Sequence, residues 1–150
     1  MSAVSDLASH TGYLLRMVSN AVSQRFARKL AGEDVTVAEW AMLRSLYGSG
    51  AIAPSALAEK MGMTKGAISK LADRLHEKGL ISRTGNPEDR RGHSLSLSTA
   101  GAMKVPLLAG FADDNDAAFF AVLSAEEHER LRDLLRTLIV KNGLSTVPVD

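Results

Sequence analysis

The chain has no cysteine in 150 residues, which excludes disulfides, thiolate metal sites and any cysteine-based redox switch. No apolar run approaches the roughly 18–20 residues that cross a bilayer. The N-terminus lacks a basic start followed by an apolar core. A soluble, cytoplasmic protein without a membrane partner is expected. The four histidines, His10, His76, His93 and His128, are far apart, and none has the i, i+4 partner that would set two ligands on one helix face. No metal site is expected. Neither a nucleophile elbow nor a phosphate-binding glycine loop is present, so the chain reads as a non-enzyme without a cofactor. Repeats and low-complexity tracts are absent too. Net charge is close to balance at +1, which by itself decides nothing.

Length and composition suit a single soluble domain with a real core, since 45 % of residues are apolar and 23 % charged. The charge is unevenly spread. Between Ser55 and His93 lie eight basic residues (Lys60, Lys65, Lys70, Arg74, Lys78, Arg83, Arg90, Arg91) against five acidic ones. Between Phe111 and Asp133 seven acids face two bases. A basic segment with an acidic one far from it suits a protein that presents one end to a polyanion.

The chain is organised around residues 54–101. Pro54 to Met61 reads as a short helix with proline at its first position, where a missing N–H costs nothing. Gly62 ends it in the left-handed conformation. Thr64 then caps a second helix from Lys65 to Lys78 that turns Ile68, Leu71 and Leu75 inward at spacings of three and four. Gly79 stops that helix, and Leu80 supplies the apolar contact of a Schellman cap. Two short helices crossing at a glycine turn, with small Ala58 at the crossing and Leu57, Met61, Met63 and Leu71 as further core, form a helix-turn-helix. Its second helix carries Lys65, Ser69, Lys70, Asp73 and Arg74 outward, groups that reach phosphates and base edges.

A hairpin follows. Ile81–Thr84 and His93–Leu97 alternate apolar and polar as half-buried strands do. The turn-forming stretch Gly85–Gly92 between them is basic near its tip. The fold class is therefore mainly α with a small β-hairpin wing (α+β), a winged helix-turn-helix.

The run Pro54–Glu59, the run Leu75–Arg83, and Asp89-Arg90-Arg91 followed by Leu97-Ser-Thr-Ala-Gly101 resemble the MarR family of bacterial transcription regulators. Two departures are visible. The helix at Pro54 lacks a Ser/Thr cap with Glu at N3, having Ala53 and Ala56 instead, and the helix after the wing opens Ser98-Thr99 where the family usually has Thr-Pro. The resemblance implies one domain over residues 1–150, with dimerisation helices at 6–34 and 102–142 flanking a winged helix-turn-helix at 36–101. It implies a homodimer that represses transcription on a palindromic double-stranded operator and is released by a small-molecule effector. The alternative is a winged helix used for protein contact without specific DNA binding.

Outside the winged helix the pattern is helical. Asp6 to Leu30 reads as one long helix with Leu14, Val18, Val22, Phe26 and Leu30 spaced by four, and Gly12 as its local weakness. Thr36 with Glu39 forms a capping box for a helix carrying Trp40, Met42, Leu43 and Leu46. A helix opening at Ser98 is expected to kink or break at Pro106. Ser124 with Glu127 is a second capping box, for a helix striped by Leu131, Leu134, Leu135, Leu138 and Ile139. Terminal helices with such stripes must bury them.

The candidate DNA-binding residues are Thr64, Lys65, Gly66, Ser69, Lys70 and Arg74 on the second helix and Arg83, Asp89, Arg90 and Arg91 in the wing. The bland reading of the helical set is a solvated surface, and of the arginines a decorated hairpin. Asp89 repels DNA, so its role is to hold Arg83 or Arg91 by a charge-assisted pair, while Arg83 has a phosphate contact as its other reading. His93 shares strand parity with Leu95 and Leu97 and reads as a partly buried wing residue. The resemblance also implies a cleft for a small aromatic or anionic effector, with Tyr13 and Trp40 to stack on its ring, Arg16 or His10 to meet its charge, and Met17 and Met42 beside them. Against that stands the reading of Trp40 and the methionines as plain core.

Overall fold

A computed structural model describes residues 3–85 and 93–144. A short 3-10 turn at Leu7–Ser9 precedes helix α1, Thr11–Ala31. Then come α2 (Val37–Leu46), α3 (Pro54–Met61) and α4 (Lys65–Glu77), the strands β1 (Ile81–Thr84) and β2 (Ser94–Leu97), α5 (Thr99–Phe119), a 3-10 turn at Phe120–Val122, and α6 (Ala125–Lys141). The chain is mainly helical with one antiparallel hairpin, as expected.

Each helix of the winged helix starts and stops where its end residues dictate. The Thr36 hydroxyl accepts from the Glu39 N–H at 3.1 Å while the Glu39 carboxylate accepts from the Thr36 N–H at 2.8 Å, so two orphan donors at the start of α2 are satisfied reciprocally. Helix α3 has no side-chain cap at Ala53 but opens on Pro54 and ends at Gly62, whose φ of 66° is left-handed. Thr64 caps α4 by accepting from the Ala67 N–H at 3.1 Å. Past α4, Gly79 is left-handed and the Leu80 N–H returns to the Leu75 carbonyl at 2.9 Å, which closes the Schellman turn.

The core lies where these helices meet. Leu57, Ile68 and Leu75 are wholly buried with Leu30, Met42, Leu43 and Leu108, each contributing about 1.5–3 kcal/mol through burial. Ala58 and Ala72 are also buried and Met63 packs at the edge. Strand β1 pairs with β2 in the register Ile81↔Leu97 to Thr84↔Ser94. A third element escapes the sequence pattern: Ile52, just before α3, bridges Leu95 through two backbone bonds of 2.9 and 2.8 Å. The wing is thereby stitched to the start of the helix-turn-helix.

Three expectations need correction. A single helix from Asp6 does not form. His10 is extended and α1 opens at Thr11, which moves Gly12 into the first turn, where its weak propensity costs least. At Pro106 the local break does not occur, since helix α5 continues to Phe119. Pro106 and Ala102 both face solvent, so the Ala102 carbonyl that loses its donor is left to water. His93 lies just outside β2 and is exposed, not partly buried.

The terminal helices behave differently from the core. Only Phe26 and Leu30, near its C-terminal end, are buried in α1. Helix α6 buries nothing in this protomer, leaving Leu134 58 % and Leu138 47 % exposed. An apolar groove of about 390 Å³ lies between α1 and α6, lined by Thr11, Leu14, Leu15, Val18, Phe119, Phe120, Val122, Leu123, Leu131 and Leu135.

Candidate nucleic-acid interface

Helix α4 has two faces. Ile68, Leu71, Ala72 and Leu75 are buried against the core. At the complementary positions Lys65, Gly66, Ser69, Lys70, Asp73 and Arg74 are all exposed, as is the cap residue Thr64. Among the described residues Lys65, Lys70 and Arg74 make no ion pair, so their charges stand open to an incoming anion. The N-terminal half of α4 thus presents two cations and a hydroxyl next to the positive end of a helix dipole. Such a surface suits phosphates and base edges.

Strand β1 sits beside this face. The Arg83 guanidinium is paired with the Asp73 carboxylate of α4, a partner the sequence pattern did not single out. The pair forms one wall of a cavity of about 300 Å³ between α4 and the wing, whose other lining is Pro54, Ile68, Ser69, Ala72, His93 and Leu95. Asp89, Arg90 and Arg91 lie outside the described residues.

At its far end α4 is held to the α1–α2 corner. Lys78 Nζ lies 3.0 Å from Glu39 Oε1 and donates to the Asp34 carbonyl at 2.6 Å. Glu39 is only 1 % exposed. Burial is the largest influence on its carboxyl and pushes the pKa up, but the Thr36 N–H, the Lys78 ammonium and the Thr36 hydroxyl together outweigh it, holding the group below the ordinary glutamate value. No sequence signal announced Lys78, because its partners lie 39 and 44 residues away.

The suggested effector residues are not gathered within one protomer. Trp40 packs edge-on against Phe26 with ring centroids 6.3 Å apart. Tyr13 is thirteen residues from Phe26 along α1, about 20 Å at 1.5 Å per residue. His10, Tyr13, Arg16 and Met17 are exposed near the start of α1, whereas Met42 is wholly buried.

The MarR family pattern matches residues 35–93, which spans α2, α3, α4 and β1 and stops just before β2. A putative transcriptional regulatory protein for the hcr operon of Thauera aromatica is 32 % identical over 134 residues, covering 89 % of this chain and 81 % of that protein. This chain belongs to the MarR family. It is also 33 % identical over 111 residues to the HTH-type transcriptional repressor MdtR of Bacillus subtilis, covering 73 % of this chain and 72 % of MdtR. A mutant of Escherichia coli MarR solved in complex with operator DNA superposes with a TM-score of 0.76 at 29 % identity, covering 85 % of this chain and 92 % of that one. These relatives are regulators of transcription, not enzymes, and the MarR-family chain described here is a transcription regulator of the same winged-helix class. Among its described residues no helix is long and apolar enough to cross a membrane.

Proposed function

We propose that this MarR-family regulator binds a palindromic double-stranded operator as a homodimer in the cytoplasm and represses transcription by excluding polymerase. The observation that carries the reading is the exposed face of α4, where Lys65, Lys70 and Arg74 make no ion pair among the described residues and Ser69 lies between them, beside a wing that bears Arg90 and Arg91 in sequence. Thr64 and Gly66 start the helix, where a phosphate meets backbone N–H groups and the helix dipole. Arg83 braces α4 through Asp73. Operator DNA on a MarR protein of the same fold and the name repressor for MdtR support the direction of the effect.

The groove between α1 and α6 supports the dimer. Monomeric proteins rarely leave so continuous an apolar surface open. A symmetric partner laying its terminal helices there sets two recognition helices roughly one turn, ~34 Å, apart. An effector, small and aromatic or anionic, acts by shifting that spacing. Because His10, Tyr13, Arg16 and Met17 lie far from Trp40 on one protomer, a pocket that includes them all needs help from the second subunit.

Selection of bound duplexes from a random-sequence pool at physiological salt tests the reading. An enriched inverted repeat with half-sites about one helical turn apart is expected. Ser69→Ala and Lys70→Ala are expected to relax the preference at individual base pairs, by about 1–3 kcal/mol each. No enrichment by a folded dimer would instead favour a protein-contact module.

A further inference from the structure

One side chain ties together three segments that are distant in sequence. Lys78 is the C-cap residue of α4. Its Nζ donates to the Asp34 carbonyl at 2.6 Å, lies 3.0 Å from Glu39 Oε1 and 3.7 Å from Asp34 Oδ1. Asp34 is the only non-glycine residue with positive φ among the described residues, at 56°, a region that Asp and Asn tolerate better than most. The turn containing it closes the end of α1, with the Glu33 N–H on the Leu30 carbonyl at 2.9 Å and the Asp34 N–H on the Ala31 carbonyl at 3.1 Å. Glu39, buried, simultaneously closes the start of α2 through Thr36. A single ammonium therefore joins the end of α1, the start of α2 and the end of α4.

Apart from the exposed Asp73–Arg83 pair to β1, the remaining contacts of α4 with α2, α3 and β1 are mainly apolar, and apolar contact has no direction. Charge-assisted hydrogen bonds do. Lys65 and Lys78 are thirteen residues apart, about 20 Å along the helix, and over that length a tilt of about 5° moves the far end by nearly 2 Å. Whatever holds the Lys78 end thus governs where the exposed N-terminal half points.

We propose that Lys78 is a positioning residue for operator recognition. It fixes α4 at a set angle to the α1 dimerisation arm, and so sets the separation of the paired recognition helices, without touching DNA. The proposal rests on the reading of the protein as a dimeric operator-binding regulator.

Lys78→Met keeps the stem and removes both hydrogen bonds and the ion pairs, whereas Lys78→Arg keeps a cation. Each is measured, with the wild type, on the inverted repeat selected by the wild type and on duplexes with one base pair inserted or removed between its half-sites. Circular dichroism and sedimentation check that the dimer is intact, and Lys78→Gln replaces Lys78→Met if that variant does not fold. Lys78→Met is expected to lose about 10–30-fold on the selected duplex and much less on the respaced ones, so that discrimination by spacing collapses. The slope of log affinity against log salt stays at the wild-type value, because no phosphate contact is lost, and Lys78→Arg recovers most of the discrimination. A slope shallower by about one overturns the proposal by making Lys78 a phosphate contact. So does wild-type spacing discrimination in Lys78→Met, or an equal loss on every duplex. If the wild type itself selects no inverted repeat, the operator-binding reading falls, and this one with it.

Discussion

The carboxylate of Asp73 on α4 is bound to the guanidinium of Arg83 on the first wing strand, so an acid on the exposed face of α4 is neutralised by the base beside it. The pair is exposed and worth little in stability, about 0–1 kcal/mol. Its effect is on charge presentation and on the angle between wing and helix.

Asp73→Asn is therefore expected to release Arg83 toward the backbone of bound DNA. Affinity for non-specific duplex rises several-fold, and the slope of log affinity against log salt steepens by about one. Arg83→Ala is expected to weaken binding without that steepening. A titration over several salt concentrations checks both. An unchanged slope in Asp73→Asn would mean that Arg83 serves only as a brace.

Gly101 lies against the Leu80 carbonyl so closely that a Cβ there would overlap the backbone oxygen. The same carbonyl accepts the Ser98 N–H at 3.0 Å, and the Ser98 hydroxyl donates to the Gly79 carbonyl at 2.6 Å. The start of α5 is thus pressed onto the end of the recognition helix, with no flexible side chain available to yield. Gly101→Ala is expected to destabilise by about 2–4 kcal/mol, read as a lower urea midpoint with the slope unchanged. A loss below about 0.5 kcal/mol would show that α5 shifts freely.

Much of this was legible from local residue chemistry. Gly62, Gly79, Thr64 and the two capping boxes act within four residues of themselves, so their spacing alone placed the ends of α2, α3, α4 and α6. What was not legible is non-local or has no period. Ile52 contributes one bridge and cannot alternate. Arg83 finds Asp73 across a turn, and Lys78 finds Glu39 and Asp34 across 39 and 44 residues. Pro106 read as a site of a kink or break, and sequence does not reveal that Ala102, whose carbonyl loses its donor, faces water. The stripe on α1 was read correctly as apolar, yet Leu14, Leu15 and Val18 lie open in one protomer, with nothing among the described residues covering them.

That uncovered stripe carries a prediction of its own. Leu14 and Leu135 both line the groove between α1 and α6. Leu14→Asp or Leu135→Asp buries a carboxylate wherever a second copy docks, which is costly without a partner charge. The dissociation constant of the dimer is expected to rise at least 100-fold, with helical content retained because neither residue belongs to the buried core. Sedimentation across a concentration series checks it. A dimer of wild-type strength in both variants would place the subunit contact elsewhere.

Glu39 offers a test through pH. Its carboxyl sits below the ordinary glutamate value of 4.5 in the folded chain, burial being overcome by the Thr36 N–H and Lys78. A group whose folded pKa is depressed binds its proton more readily when unfolded. Its stabilising contribution is complete above about pH 4.5 and is lost as the pH falls through the lower folded value. Urea unfolding of the wild type is therefore expected to weaken on acidification in that window. Glu39→Gln, which keeps an acceptor for the Thr36 N–H but not the charge facing Lys78, is expected to be less stable at neutral pH by about 1–3 kcal/mol. Its acid decline should be shallower, so that the two stability curves converge at low pH. Parallel curves would assign the acid sensitivity to other carboxylates, among them Glu127, whose pKa the second capping box also lowers.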